Sequence, residues 1–478
     1  MIDLDSDPFG DIGFDTADPG PTEPPSSKAK KPPPSNDILT EDSAALEFAR
    51  LYADRLRYCH SIGAWFQWDG FAWRQNVTKL ARHWARELAR RLSQDEPAKT
   101  RYVANKAGFA IAVESLAQGD PTLAVTSEAW DGDPWLLGTP GGIVDLQTGR
   151  LHDPRPEDGI TKLTAIAPTP SIDCPQWLAF LDQATGGDKE LIRFLQQWAG
   201  YCLTGLTREH ALVFVYGPGG NGKSVFLNVL TGILAAYATT AAMDTFTASK
   251  GDKHPTDLAM LRGARLVTAS ETEEDRAWAE ARIKQMTGGD PITARFMRQD
   301  FFTFVPNFKL TIVGNHQPML RNVDDAARRR FNIVPFTRKP ARPDRQLEVK
   351  LQAEWPGILR WMIAGCLDWQ ANGLVRPSSV VSATEAYFVE QDLFGQWIAD
   401  ECKIEPAAWS PSADLFESWS KYARAAADEP GRGKAFGAAM RRKGFADKRV
   451  QGMRGWAGIR VKSEGQNYNS YARQSRGE

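Results

Sequence analysis

Apolar residues along the chain follow two different periods, which predicts a mixture of helices and strands. From Asp42 they recur every three to four residues, as on one face of a helix, and VTKLARHWARELARRL repeats this spacing. WFQWDGFAW has the aromatic content and the length of short strands, and DGDPWLLGTPGGIVDLQTGRL has the turn residues of a β-hairpin. We therefore predict a mixed α+β domain over residues 42–190.

Residues 1–41 lack this pattern. The first 40 residues hold eight prolines and eight acidic residues against three lysines, with few large apolar side chains. Such a segment buries too little surface to offset its chain entropy. We predict a disordered, solvated tail that ends in the linker PPPSN, and the alternative is an interaction peptide around Phe9 to Phe14.

The last part of the chain, residues 396–478, has the order of elements typical of a winged helix. SADLFESWSKYARAAA and GKAFGAAMRRKGF have helical spacing, and VQGMRGWAGIRVK predicts a hairpin. Between Arg432 and Lys462 there are ten basic residues and one acid. A solvated helix face is one interpretation of this run, but the charge asymmetry favours contact with DNA. The candidate DNA contacts are Arg441, Arg442, Lys443, Lys448 and Arg449.

Composition and charge narrow the possible partners. The 478 residues suggest two to four domains, and 58 Lys+Arg against 59 Asp+Glu leave a net charge of −1. Since the whole chain has no basic field that attracts nucleic acid or an anionic membrane, a nucleic-acid site must be local. The five cysteines are scattered and form no CxxC pair, which argues against a disulfide framework or a zinc ribbon. The N-terminus is acidic and no apolar run approaches about 18 residues, so we expect a cytoplasmic protein outside the membrane.

The strongest chemical signal is the segment ALVFVYGPGGNGKSVFLNVLTGIL. Residues 211–216 form an apolar run of strand length, residues 217–224 match GxxxxGK[ST], and residues 225–234 have helical spacing. Glycines in such a loop let backbone N–H groups turn onto phosphate oxygens at the start of a helix. Lys223, expected to be exposed, would reach the β and γ phosphates of ATP, and Ser224 would bind Mg²⁺. The predicted nucleotide-binding residues are Gly217, Pro218, Gly219, Gly220, Asn221, Gly222, Lys223, Ser224 and Val225.

Two strands downstream are predicted to supply the other polar groups of an ATPase. Leu266 to Ala269 predicts a buried strand followed by Glu271, which would polarise the attacking water and support Mg²⁺. Glu273 is the weaker candidate for the metal. Residues 308–313 predict another buried strand, and Asn315 beyond it would orient the water or sense the γ-phosphate.

Three consecutive arginines, Arg328, Arg329 and Arg330, precede a further predicted strand. They could be a surface charge run. A guanidinium is also the group that stabilises phosphoryl-transfer charge when a neighbouring subunit supplies it.

Two other features have a plainer interpretation. Asp131 and Asp133 could hold Mg²⁺ for nucleotidyl transfer, but the Gly and Pro around them favour a turn. Eight tryptophans between Trp65 and Trp198 could stack on bases, but we favour an aromatic core. No polymerase or primase site is predicted.

The motifs GPGGNGKS, LVTASE, KQMTGGDPITAR, KLTIVGN and RRRFNIVPF occur in this order within residues 217–336. In combination they resemble superfamily 3 helicases, and more closely the phage and plasmid primase-helicases akin to the satellite-phage and poxvirus replication proteins. PWLLGTPGGIVDLQTG and ITKLT look like the domain that precedes the motor in that group. The resemblance covers most of the chain.

This resemblance implies an α/β fold with a P-loop AAA+ type motor over residues 191–395 that acts as a hexameric ring around DNA. It implies that Lys223 and Ser224 bind ATP and Mg²⁺, that Glu271 is the catalytic acid and that Asn315 is the sensor.

The resemblance also implies two contacts outside the nucleotide site. Arg329 or Arg330 would be the finger that acts in trans on a neighbouring subunit. The hairpin between Thr293 and Phe304 would grip DNA through Arg295 and Arg298, with Arg298 at its tip.

We therefore predict a replicative DNA helicase of a phage or similar mobile element. Many relatives carry a primase domain ahead of these regions, where this chain has the short tail, so we expect the helicase part alone. A separate primase, polymerase or origin-binding protein would work with it. The alternatives are an ATP-driven DNA-remodelling or loading factor and a nucleotide-switched origin-binding scaffold. Directional unwinding would distinguish the helicase from both alternatives. Multiple-turnover ATPase activity would distinguish the helicase and the remodelling factor from the nucleotide-switched scaffold.

Overall fold

A computed structural model describes residues 38–248, 256–270, 277–298, 300–320, 325–426 and 428–462. Its N-terminal part combines four helices with a small sheet. These elements are α1 (Glu41–Tyr52), β1 (Leu56–Cys59), β2 (Ala64–Trp68), β3 (Trp73–Gln75), α2 (Leu80–Leu92), α3 (Ala98–Ala104), α4 (Ala107–Ala117) and β4 (Ala124–Val125). The strand order is β3-β2-β1-β4, with β4 parallel to β1 and the other pairs antiparallel.

Local chemistry explains where the first helix begins. The Ser43 backbone N–H donates to Thr40 Oγ1 at 3.1 Å, and the Thr40 N–H donates to Ser43 Oγ at 3.0 Å. This reciprocal cap satisfies two donors at the start of α1. Phe48, Leu88 and Val113, from α1, α2 and α4, then join one buried cluster.

A three-stranded meander and two helices lead to the central sheet. They are β5 (Leu136–Thr139), β6 (Gly142–Asp145), β7 (Arg150–His152), α5 (Pro175–Thr185) and α6 (Lys189–Leu203). The predicted hairpin is confirmed as β5 and β6, and β7 extends it by one antiparallel strand. Asp131 has a φ of +48°, and its carboxylate accepts a hydrogen bond from the Thr161 N–H at 3.0 Å. This is the structural role of a turn residue.

The central feature is a five-stranded parallel sheet. In chain order its region contains β8 (Leu212–Tyr216), α7 (Lys223–Leu234), β9 (Ala238–Thr240), α8 (Thr256–Ala259), β10 (Leu266–Ser270), α9 (Glu280–Gly288), β11 (Ile292–Ala294), β12 (Phe302–Phe304), β13 (Lys309–Gly314), α10 (Asp325–Arg330) and β14 (Phe331–Pro335). The strand order is β14-β8-β13-β10-β9, and every neighbouring pair is parallel. All five strands therefore end at one edge, which is where open α/β sheets bind ligands.

Both faces of this sheet are buried. Val213 and Val215 of β8 belong to one core, and Leu212 and Phe214 belong to the core on the opposite face. Successive strand residues point to opposite faces, so burial on both sides requires a continuous apolar run in β8.

The first of these cores extends beyond the sheet region. It also includes Leu137 of β5 and Trp177 of α5, which precede residue 190. The domain boundaries at residues 190 and 395 stay predictions, while the packing joins the segment before residue 190 to the sheet in one core.

The C-terminal elements are helices that are followed by a small three-stranded sheet. They are α11 (Leu347–Ala353), α12 (Trp355–Asn372), α13 (Ser378–Gln391), α14 (Leu393–Glu401), β15 (Cys402–Pro411), α15 (Ser412–Ala425), α16 (Gly433–Arg442), β16 (Asp447–Val450) and β17 (Met453–Val461). The sheet is antiparallel with the order β15-β17-β16. Trp397, Trp419 and Trp456 lie in its core. The two helices and the hairpin predicted for this segment are confirmed.

The aromatic-core interpretation is also confirmed, because all eight tryptophans from Trp65 to Trp198 lie in or against buried clusters. The five cysteine thiols are buried and free. Among the helices in the described part of the chain, none has both the length and the apolar character that crossing a bilayer requires.

Candidate nucleotide-binding site and DNA-binding surfaces

The predicted phosphate loop lies between the end of β8 and the start of α7. Gly222 caps α7 in the left-handed conformation, with a φ of +88°. A Cβ on Gly222 would lie 2.6 Å from Cε2 of Phe180 in α5, and a Cβ on Gly217 would lie 1.9 Å from the Phe336 carbonyl oxygen. The loop is therefore held between α5 and the segment after β14. A Cβ on Gly219 would meet nothing within 4 Å.

Asn221 anchors the middle of the loop. It is 3 % exposed, and its Nδ2 donates to the Phe336 carbonyl. Its Oδ1 accepts a hydrogen bond from Lys223 Nζ at 3.0 Å. The motif leaves this position unspecified, so the sequence predicted a loop residue here but not its structural role.

The expectation of an exposed Lys223 is wrong, because the side chain is 7 % exposed. Its Nζ donates to the carbonyls of Gly217 and Pro218, at 2.5 and 3.0 Å, and to Asn315 Oδ1 at 3.0 Å. Burial lowers the pKa of this amine from its usual value, and the positive charge of Lys339 lowers it further. The lysine is thus held inside the loop by neutral oxygen acceptors, which phosphate oxygens can replace.

Asn315 reaches this lysine because β13 lies beside β8. The register pairs Gly314 with Tyr216, so Asn315 and Gly217 follow the ends of adjacent strands. On the other side of β13, the register pairs Val313 with Ser270, the last residue of β10. Glu271 and Glu273 come directly after β10 and lie outside the described residues.

Ser224 is an exposed residue in the first turn of α7, and Val225 beside it is half-buried. Within the described residues, no group of three or more His, Cys, Asp or Glu side chains is placed to hold a metal. Mg²⁺ at a nucleotide is bound through one or two protein oxygens together with phosphates and water. The Ser224 hydroxyl therefore fits a magnesium ion that arrives with ATP.

The three arginines lie at the opposite end of the sheet from the loop of the same chain. They end α10, and the register pairs the next residue, Phe331, with Leu212 at the start of β8. The length of β8, about 16 Å at the rise of a strand, therefore separates them from Gly217. Arg329 is exposed, and Arg330 has a buried Nε with no hydrogen-bond partner among the described residues.

The predicted hairpin is formed by β11 and β12, which pair from Ile292 with Phe304 to Ala294 with Phe302. Arg298 lies in the turn with a φ of +62° and is exposed. The guanidinium of Arg295 lies 4.7 Å from the ring centroid of Phe301. The tip of the hairpin therefore presents positive charge and aromatic surface together.

The C-terminal basic residues fall into two groups. Lys443 forms an ion pair with Asp392, which caps α14, and the Arg441 guanidinium lies 5.8 Å from the Trp456 ring centroid. The sequence pattern did not predict these two contacts. Arg442, Lys448 and Arg449 are exposed and form no ion pair with another described residue.

Comparison with known proteins adds two family matches. Residues 45–186 match the family described as "D5 N terminal like", and residues 215–330 match a family of unknown function (DUF5906). The second match begins two residues before Gly217 and ends at Arg330.

Two viral proteins are similar to the chain over about half its length. "Putative helicase L207/L206" of Acanthamoeba polyphaga mimivirus is 24% identical over 294 residues, 56% of this chain and 31% of its own. "Putative helicase 022R" of Frog virus 3 (isolate Goorha) is 25% identical over 260 residues, 50% of this chain and 27% of its own. The chain is therefore similar to the D5 N-terminal-like family over residues 45–186, and to putative viral helicases over about half of its length. It spans less than a third of either viral protein.

The chain is also similar to solved structures. Two apo structures of the NrS-1 C-terminal region cover 87% and 88% of this chain and 99% of their own, with TM-scores of 0.47 and 0.49. Their sequence identities are 11% and 10%. At these values the likeness alone does not assign the fold.

Proposed function

We propose that this chain is the motor of a DNA helicase that couples ATP hydrolysis to movement along DNA. The observation that supports this most strongly is the 3.0 Å contact between Lys223 Nζ and Asn315 Oδ1 across the ends of β8 and β13. A phosphate-binding lysine and a polar sensor meet there at the ligand-binding edge of a parallel sheet.

ATP would bind with its phosphates over the loop from Gly217 to Gly222. The Lys223 amine would exchange the loop carbonyls and Asn315 for oxygens of the β and γ phosphates, where its charge stabilises the transferred group. Freed from the amine, the Asn315 amide could bind the γ-phosphate or the attacking water. The Ser224 hydroxyl would hold Mg²⁺, which neutralises phosphate charge when it is bound.

Glu271 would act as the general base for the attacking water and support the same ion. Its position directly after Ser270 supports this role, since β10 adjoins the strand that carries Asn315.

The arginines support an assembly of several subunits. Because the length of β8 separates them from their own loop, Arg329 or Arg330 would complete the site of a neighbour. A closed ring, most simply a hexamer, gives every loop such a neighbour.

Two surfaces would hold DNA. The β11–β12 hairpin would contact the translocating strand through Arg298, with Arg295 held beside Phe301. The order α14-β15-α15-α16-β16-β17 is that of a winged helix, in which α16 would contact the DNA backbone. Arg442, Lys448 and Arg449 have no competing ion pair within the described chain, so they are the stronger contacts in this unit.

The decisive experiment measures forked-DNA unwinding, ATP turnover and ATP binding for the wild type, Glu271→Gln and Glu273→Gln. The wild type should unwind the fork, while Glu271→Gln should bind ATP and hydrolyse it about 10²-fold more slowly or worse. Glu273→Gln makes the same chemical change two residues away and separates the two candidate acids. Retained turnover in this variant would leave both roles to Glu271, and lost turnover would assign the support of Mg²⁺ to Glu273.

The alternatives predict other outcomes. Hydrolysis without unwinding would indicate a remodelling or loading factor, and a single turnover per binding event would indicate a scaffold. Normal turnover in Glu271→Gln would show that another group is the base. Particle imaging with ATP counts the subunits.

A further inference from the structure

A third basic surface lies in the N-terminal part of the chain, on α2, α3 and α4. It is a groove of about 380 Å³ between α2 and the corner where α3 meets α4. Arg82, Arg86 and Arg90 line one side, and Asn105, Lys106 and Ile111 line the other. Of the residues that the structure describes, no acidic one lines it.

The three arginines form a stripe because they are spaced four residues apart on α2, which places them above one another on one helix face. Arg82 Nε pairs with Glu114 at 2.7 Å, so that carboxylate is already used. Arg86 and Arg90 are exposed and form no ion pair with another described residue. Like charges at this spacing repel one another, and an anionic ligand would relieve the repulsion.

Aromatic surface adjoins the groove at Lys106, and apolar surface forms part of its wall. Tyr102 is 67 % exposed, and Lys106 Nζ lies 4.7 Å from the centroid of its ring. Ile111 is 45 % exposed on the groove wall. Cations beside an exposed ring suit a nucleic-acid strand, because phosphates bind the charges while a base stacks on the ring.

We propose that this groove binds single-stranded DNA, with backbone phosphates on Arg86 and Arg90 and a base on Tyr102. The inference rests on the proposed function, since it assumes that the chain acts on DNA. It adds a contact ahead of the motor, so that a strand leaving or entering the hairpin is also held by the N-terminal region.

The test is a titration of the full chain with labelled oligo(dT) at several salt concentrations. Arg86→Ala/Arg90→Ala should bind several-fold more weakly and flatten the log-salt slope by up to about 1.4, at about 0.7 for each phosphate contact on a single strand. Lys99→Ala/Arg101→Ala removes the same charge from exposed positions on α3 that do not line the groove, and should change neither quantity. Tyr102→Ala should weaken binding and leave the slope unchanged, because stacking releases no counterions.

Both arginines are exposed and alanine favours a helix, so the double variant should melt no lower than the wild type. Wild-type affinity and slope in Arg86→Ala/Arg90→Ala would overturn the proposal, as would an equal loss in the α3 control. A changed oligomeric state on sizing would also overturn it and assign the groove to a contact between subunits. If the wild type itself does not bind oligo(dT), the proposed DNA function fails first.

Discussion

Two glycines of the phosphate loop should respond differently to the same substitution. Gly222 has a φ of +88°, and a Cβ there would lie 2.6 Å from Cε2 and 3.1 Å from Cζ of Phe180. Gly219 has ordinary backbone geometry, and its Cβ would meet nothing within 4 Å. Gly222→Ala should therefore disrupt the start of α7, whereas Gly219→Ala should be tolerated.

The magnitude follows from these two geometries. A left-handed conformation destabilises a residue with a Cβ by about 1–2 kcal/mol. Crowding against a packed ring adds about 1–3 kcal/mol. Gly222→Ala should thus destabilise the loop by about 2–5 kcal/mol, a large part of the usual 5–15 kcal/mol of a protein. Gly219→Ala has neither penalty, and its less flexible unfolded chain should make it neutral or more stable by about 0.4–1 kcal/mol.

Amide hydrogen exchange resolved to the peptides of α7 measures the local opening free energy without assuming that the whole chain unfolds in one step. Protection in α7 should fall in Gly222→Ala and remain in Gly219→Ala. ATP binding should also fall in Gly222→Ala.

A double-mutant cycle tests whether the Phe180 ring is the group that a Cβ at position 222 would crowd. Phe180→Leu shortens the opposing side chain, so Gly222→Ala should be less damaging in that background, with the left-handed penalty still present. Equal protection in the two alanine variants would refute the geometry, and strictly additive effects would show that Phe180 is not the obstacle.

Three further predictions concern charged side chains. Burial lowers the pKa of Lys309 to about 7; the unfolded chain then binds more protons than the native protein between that value and the usual 10.5. The free energy of unfolding should therefore rise with pH across this window, by up to about 5 kcal/mol. Urea titrations at pH 7 and pH 9 measure this rise, and it should be smaller in Lys309→Met. Mixing Arg329→Ala or Arg330→Ala subunits with Lys223→Ala subunits should recover some ATPase, because some interfaces then join an intact loop to an intact arginine; full activity of both arginine variants alone would contradict action in trans. Arg298→Ala should retain DNA-stimulated hydrolysis but unwind poorly, and coupled unwinding at the wild-type ratio to ATP would remove the hairpin from the mechanism.

Local patterns were sufficient for the elements around the phosphate loop. The run before Gly217 predicted β8 to within one residue, because a strand buried on both faces must be apolar throughout. The mostly apolar runs of β10 and β13 were also predicted to within one residue, and the turn residues between Thr293 and Phe304 predicted the hairpin. In each case the signal lies within a few residues of the element that it specifies.

Long-range contacts within the site could not be predicted in this way. The Asn221 side chain donates a hydrogen bond to the carbonyl of Phe336, which lies 115 residues away. Gly222 is confined by the ring of Phe180, which belongs to a helix that precedes β8. Sequence spacing contains no information about which distant backbone approaches the loop. Lys223 consequently looked exposed from its motif, although neighbours brought by the fold bury it.

The sequence by itself determined which residue types stand together: a GxxxxGK[ST] segment after an apolar run, strands that end in polar residues, a run of arginines and a basic C-terminal segment. These depend on residue types and short spacings, which the chain contains before it folds. Only the tertiary structure decided which of these groups meet. The strand order places Asn315 on Lys223 and the arginines at the far end of β8. The shared core of α14 and α16 brings Lys443 to Asp392, 51 residues away. The physical reason is that strand order and side-chain partners are set by the packing of the whole core, where distant segments must bury their apolar faces together.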